Sequence, residues 1–160
     1  MQEPVEYLIL RDLQAALARI AQRDGYHFDV RELAVKLDPN QDVESLIAPD
    51  GPRPFVLIEA FTERTPERWN YRAAYEVELT IPVTIHWVSE SVPTKDEGRL
   101  QVFLRGCADV ERAITQDTSR GGRAIDTRIV KRTFDTAVDG SQVWAPIDVD
   151  IRFLRSYGQP

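Results

Sequence analysis

The side chains whose types could support catalysis or metal binding are few: His27, His86, Cys107, and the pair Glu76 and Glu78. A metal site gathers three or four His, Cys, Asp or Glu ligands, and neither histidine has companions at a ligand spacing. Both are expected as surface or rim residues. A cysteine nucleophile needs a neighbouring base, whereas Cys107 falls on the apolar stripe of a predicted helix, where a free thiol packs as a small hydrophobe. Glu76 and Glu78 share one face of a strand and could in principle supply paired carboxylates for acid–base work. No apolar run encloses them to raise their pKa, so a solvated face is expected. Gly121-Gly122, between Arg120 and Arg123, lacks the preceding strand and the Lys-Ser/Thr ending of a phosphate loop, which leaves a flexible connection. No serine occupies a Gly-x-Ser-x-Gly elbow. No catalytic, metal or cofactor-binding residue is expected, and the chain reads as one that is not an enzyme.

Association is the other chemistry a surface can do. From Thr62 to Arg72, the charges of Glu63, Arg64, Glu67 and Arg68 alternate around Pro66 and lead into Trp69-Asn70-Tyr71. This connection is long for a hairpin. Arginine with tryptophan and tyrosine is the composition enriched at protein interfaces, where such side chains bury large area at modest entropy cost. Arg64, Arg68, Trp69 and Tyr71 are therefore the candidate interface residues, the alternative being a solvent loop whose tryptophan folds back on the sheet.

The elements that must position these groups follow from periodicity. Leu10, Leu13, Leu17 and Ile20 lie at the three and four spacing of one helical face, predicting a helix from Val5 to about Arg23 that is closed by Asp24-Gly25. A short strand is expected over Arg31–Leu37, a helical turn over Val43–Ile47, a turn at Pro49–Pro52, and a strand at Phe55–Ile58 buried on both faces. Tyr75 to Trp87 has an apolar residue at every odd position, the mark of one long half-buried strand. Pro82 cannot donate a ladder hydrogen bond, so that strand should be bulged there or lie at an edge. Thr94 and Glu97 have the form of a capping box, opening a second helix whose apolar face is Leu100, Phe103, Cys107, Val110 and Ile114. Ile125–Phe134 and Val143–Phe153 then read as two hairpin strands whose long connection contains Asp139-Gly140. Strands run between two helices, so the expected class is α+β: a mainly antiparallel sheet of four or five strands with two helices on one face, in a single domain spanning 1–160.

Composition narrows the function classes. With 160 residues and a hydrophobic fraction of 42%, the chain suits one core. No apolar run approaches the roughly 20 residues needed to cross a bilayer, so no membrane partner is expected. Its N-terminus lacks the basic start of a signal peptide, and the lone cysteine permits no internal disulfide, so the cytoplasm is the default location. A net charge of −6 opposes attraction to phosphate backbones, and tight nucleic-acid binding is not expected. The charge is uneven: residues 1–98 carry 10 Lys and Arg against 18 Asp and Glu (−8), and residues 99–160 carry 10 against 8 (+2). Unlike faces of neighbouring subunits could meet through this asymmetry, though scattered solvated charge accounts for it as well.

The order of these elements resembles the tail terminator, or tail completion, proteins of long-tailed bacteriophages and Mu-like prophages. The resemblance is carried by the N-terminal helix Tyr7–Arg23 ending in Asp24-Gly25-Tyr26, the run Arg53-Pro54-Phe55-Val56-Leu57-Ile58, the long strand Tyr75–Trp87, the helix Asp96–Thr115 and the closing strands. It implies a virion protein, assembled in the host cytoplasm, that forms a homohexameric ring at the head-proximal end of the tail. Such a ring stops polymerisation of the tail tube protein and docks to the head-tail connector. The family brings no catalytic residues or cofactors, and an acidic ring could let DNA pass through its channel without sticking. A neck or connector protein is the alternative within this class, and a small ligand-binding or enzymatic α+β domain is the alternative outside it.

If Trp69 is an interface anchor, Trp69→Ala leaves the subunit folded and weakens assembly by about 2 kcal/mol or more. Unchanged assembly with about 3–5 kcal/mol of lost stability, measured by melting the same variant, would assign Trp69 to the core instead.

Overall fold

A computed structural model describes residues 3–38, 40–42, 46, 54–65, 74–88, 96–136 and 142–156. Its elements in chain order are α1 (Val5–Ala18), a 3-10 turn (Gln22–Asp24), β1 (Glu32–Lys36), β2 (Phe55–Glu59), β3 (Thr62–Arg64), β4 (Ala74–Val88), α2 (Asp96–Thr115), β5 (Asp126–Arg132), β6 (Asp135–Thr136) and β7 (Gln142–Ser156). The class is α+β, as expected. Across the sheet the strands run β1-β2-β4-β7-β5, with β3 beside β4 and β6 beside β7. Every pairing is antiparallel except β1 with β2. The expected helical turn at Val43–Ile47 (apart from Leu46), the turn at Pro49–Pro52, Thr94 of the capping box and Asp139-Gly140 lie outside the described residues.

The long alternation makes the backbone of the molecule. β4 and β7 pair without a register break from Ala74 opposite Ser156 to Val88 opposite Gln142. Their odd-numbered rows, Val77 to Trp87 and Val143 to Phe153, are buried together with α1 and α2 residues, so both helices cover one face. A smaller cluster of Phe55, Leu57, Ala34 and Leu46 lies apart from that core.

Pro82 sits neither at an edge nor in a bulge of its own strand. β4 is interior, and the bulge lies in its neighbour: from Ile58 to Thr62 is four steps, but their partners Val83 to Thr80 are three steps apart. The extra residue falls at Ala60-Phe61. Continuing the β2 register would set Glu59 opposite Pro82, which has no N–H to donate, so the ladder breaks at that point. Pro146 in β7 behaves the same way on the other flank. Its carbonyl accepts from Thr133 N–H at 2.8 Å, so its backbone polar side points toward β5 and away from β4. By the alternation of an antiparallel pair, Pro82, two rows along on the facing strand, also points away from the β4–β7 ladder. Neither proline removes a hydrogen bond from the central pair.

A second bulge lies between Ile129 and Lys131 in β5. An extra residue reverses the face of everything downstream. Lys131 is thereby opposite Asp148 and Arg132 opposite the inward-facing Ile147, which turns Arg132 to its ion pair with Glu111 of α2. Phe134 follows on the same side and meets Phe103 edge-on at 5.3 Å between centroids. The bulge at Ala60-Phe61 likewise turns Glu63 to the helix side, where Arg155 bridges it, at 2.7 Å, to Glu6 of α1.

The helices differ from expectation in detail. α1 ends at Ala18, short of Arg23, because Ile20 carbonyl accepts from Val30 N–H at 2.9 Å instead of continuing the helix. Gly25, at φ 82°, closes the following 3-10 turn. The fully buried α1 row is Ile9, Leu13 and Leu17, continued by Ile20, and Leu10 is only half-buried at its margin. In α2, Phe103, Cys107, Val110 and Ile114 are buried, but Leu100 is exposed.

Gly106 lets α2 approach the sheet, since a Cβ there would lie 2.6 Å from two ring carbons of Trp87 and 3.3 Å from Ile85 Cδ1. Gly106→Ala should therefore destabilise the fold by about 1–3 kcal/mol in denaturant melts, although alanine is intrinsically the better helix former by about 1 kcal/mol. Equal or greater stability would refute this close approach.

Candidate protein interface

On the sheet face away from the helices, alternation places the even-numbered residues of β4 and β7, and their charges are largely matched across strands. Arg64 Nη2 donates to Glu78 at 2.9 Å; Arg152 lies 3.5 Å from Glu76 and 3.7 Å from Asp126. Asp150 accepts from Thr80 Oγ1 at 2.7 Å, with Arg128 at 4.0 Å. Such pairs fix neighbouring strands more than they stabilise the fold. Glu76 was expected on a solvated face, yet it is 5% exposed, with Arg152 of the neighbouring β7 lying across it. It does not converge with Glu78 on a shared proton, since each carboxylate has its own arginine.

Arg64, the first sequence candidate, therefore lies in β3 and not in a loop, which shortens the connection ahead of β4. Its side chain is mostly exposed beyond the contact with Glu78. Arg68, Trp69 and Tyr71 lie outside the described residues, so Arg64 alone of the four has a described position.

A surface not anticipated from sequence lies at the helix side. Leu100 and Leu104, one turn apart on α2, are 51% and 52% exposed, and they flank Phe103, whose ring meets the partly exposed Phe134. Large apolar side chains grouped in this way mark association surfaces more often than scattered ones do. Of the two, Leu100 was on the expected helix face, and Leu104 flanks that face beside the buried Phe103 and Cys107.

The remaining polar groups are fasteners. Asp109 of α2, 2% exposed, accepts from the backbone N–H of His27 at 2.7 Å and of Phe28 at 3.1 Å, and from His27 Nδ1 at 2.7 Å. The carboxylate thus ties the loop after the 3-10 turn to α2, and fixes the imidazole with its proton on Nδ1. His27 is half-exposed, as a rim residue should be. Its Nε2 could act as a base, but among the described residues no hydroxyl or thiol is hydrogen-bonded to it. His86 is half-buried on the sheet face away from the helices, where it stacks on Phe55 at 4.4 Å and lies 6.3 Å from Trp144.

The Gly121-Gly122 connection is a hydrogen-bonded turn. Asp117 accepts from Ser119 N–H and Oγ and from Gly121 N–H, and these bonds, Ser119 Oγ first, hold its carboxyl below the usual range. Gly121 and Gly122 take the positive φ values, 66° and 79°, that the turn requires. Arg120, also at positive φ, is fully buried; it donates to Asp12 of α1 at 3.1 Å and to the carbonyls of Ile114 and Asp117. Burial lowers its pKa, opposed by the charges of Asp12 and Asp117. Among the described residues no group of three or more His, Cys, Asp or Glu could hold a metal ion, and no helix is long and apolar enough to cross a membrane.

No protein-family model matches the chain, and no curated protein matches its sequence.

Cys107 is 1% exposed, and burial pushes its thiol up to about 11, with Arg132 opposing and Glu111 adding to the rise. Because the thiolate is the reactive form, raising the pKa from 9.0 lowers its population at neutral pH by about 100-fold, before shielding is counted. Alkylation of the native protein should accordingly be slow and become fast in denaturant. Rapid labelling of the folded protein would contradict this burial.

Proposed function

We propose that the chain is a structural subunit of a long-tailed phage tail, one that closes into a hexameric ring at the head-proximal end, stops growth of the tail tube and presents a docking surface to the head-tail connector. The observation that carries the reading toward assembly is the exposed apolar group on α2 and just after β5: Leu100, Leu104 and Phe134, joined through Phe103. A free subunit gains little by leaving these side chains in water, whereas a neighbouring subunit or the tube would bury them. The order of elements agrees with the one that carried the family resemblance. Net negative charge suits a channel that DNA traverses without adhering.

The test is direct. Light scattering coupled to size exclusion, and negative-stain images, should give a six-membered ring with a central channel, either for the protein alone or on mixing with its tail tube protein. Leu104→Glu should abolish that ring without lowering the melting temperature, since the residue lies half in water already. A strictly monomeric species in both conditions at high concentration would remove the reading.

A further inference from the structure

The sheet has two edges, and they are built differently. β5 is guarded: it carries the bulge at Val130 and the charges Arg128, Lys131 and Arg132, devices that discourage a second strand from pairing there. β1 has no bulge, and its two charges are of opposite sign. It is five residues long, Glu32-Leu33-Ala34-Val35-Lys36, with no proline, and each residue is only half-buried.

Among the described residues β1 pairs with β2 alone. Arg31 N–H donates to Pro54 carbonyl, so residues 31, 33 and 35 direct their backbone groups toward β2. Residues 32, 34 and 36 consequently direct theirs outward. Those N–H and C=O groups are a ready template for one more strand.

What fits this edge is written in its own order of side chains. If a second copy of β1 lies antiparallel to the first, with Ala34 opposite Ala34, then Glu32 faces Lys36 of the other copy and Lys36 faces Glu32. Leu33 faces Val35 on the core side, where both already pack against the main cluster. The three outward-directed residues are then the ones that form mutually bonded pairs: Glu32 with Lys36, Ala34 with Ala34, Lys36 with Glu32. Charge, apolarity and hydrogen-bonding phase agree in this single register. Shifting it by two residues in either direction would oppose Glu32 or Lys36 to Ala34 and break both charge pairs.

We infer that β1 is a self-recognition edge, through which two copies of this chain join their sheets by an isologous antiparallel β1–β1 contact. The inference stands apart from the ring, because a two-fold contact closes at two copies and not at six. In the presence of a ring it would link two rings, or hold subunits in pairs before the tube is met.

Sedimentation of the full chain, at several concentrations and moderate salt, tests it. The wild type should dimerise, or form higher species in even multiples. Glu32→Lys and Lys36→Glu, each of which sets like charges opposite one another twice, should weaken the pairing by about tenfold or more. The double variant Glu32→Lys/Lys36→Glu should restore it, since the swapped residues meet again as opposite charges. Ala34→Pro should also abolish pairing while leaving the melting transition near that of the wild type, because the N–H it removes points away from β2. Failure of the double variant to recover dimers that both single variants lose, or a wild type insensitive to all four changes, would overturn the inference. A species changed by Leu104→Glu but by none of the β1 variants would be a ring without this contact, and would overturn it equally.

Discussion

Everything in this molecule is registered against the fifteen-residue pairing of β4 with β7. Each strand alternates strictly, and their odd rows together form the floor on which both helices lie. A floor of this length fixes the face of every residue on the two strands at once, since a slip of one would exchange the apolar row for the charged one. The flanking strands are fitted to it with corrections. Both β2-β3 and β5 contain one residue more than their partner, and in each case the result is that a charged residue, Glu63 or Arg132, turns toward a helix. The irregularities therefore belong to the helix attachments and not to the core.

The helices are held by more than apolar contact. α1 is tied to the loop after α2 through Arg120 and Asp12, and to the sheet through Glu6 and Arg155; α2 holds the loop after α1 through Asp109 and through Arg112, whose Nη1 donates to Gly25 carbonyl at 2.6 Å. These contacts span from 82 to 149 residues of chain. Breaking a single partner of a buried charged contact leaves the other uncompensated, so such links are sensitive to truncation even where their net contribution is small.

How much of this was legible in the sequence depended on the range of the interaction. The two long strands, both helices and the inward rows could be read because periodicity is local and the apolar residues repeat without interruption. Pro82 announced an irregularity, but its location in the neighbouring strand depended on which strand would lie opposite, which no local pattern contains. Asp109 lay in plain sight beside Val110 on a buried stripe, where an acidic group needs partners. That its partners are the backbone of residues 27 and 28 depends on the tertiary arrangement. The candidate interface was only partly accessible for the same reason: periodicity placed Leu100 on the apolar face of α2, but its exposure depends on what packs against that turn.

Pro82 and Pro146 have a consequence for how the chain finds its pairing. In the native alignment both missing donors face outward from the β4–β7 ladder. To pair one residue out of step, one of the two strands would have to roll over, and whichever rolled would bring its proline to face the other strand. Each misaligned attempt would thus meet a gap in its own ladder as well as a misplaced apolar row. The prolines thus penalise every alignment that is out of step by an odd number of residues, while costing the correct central pair no hydrogen bond.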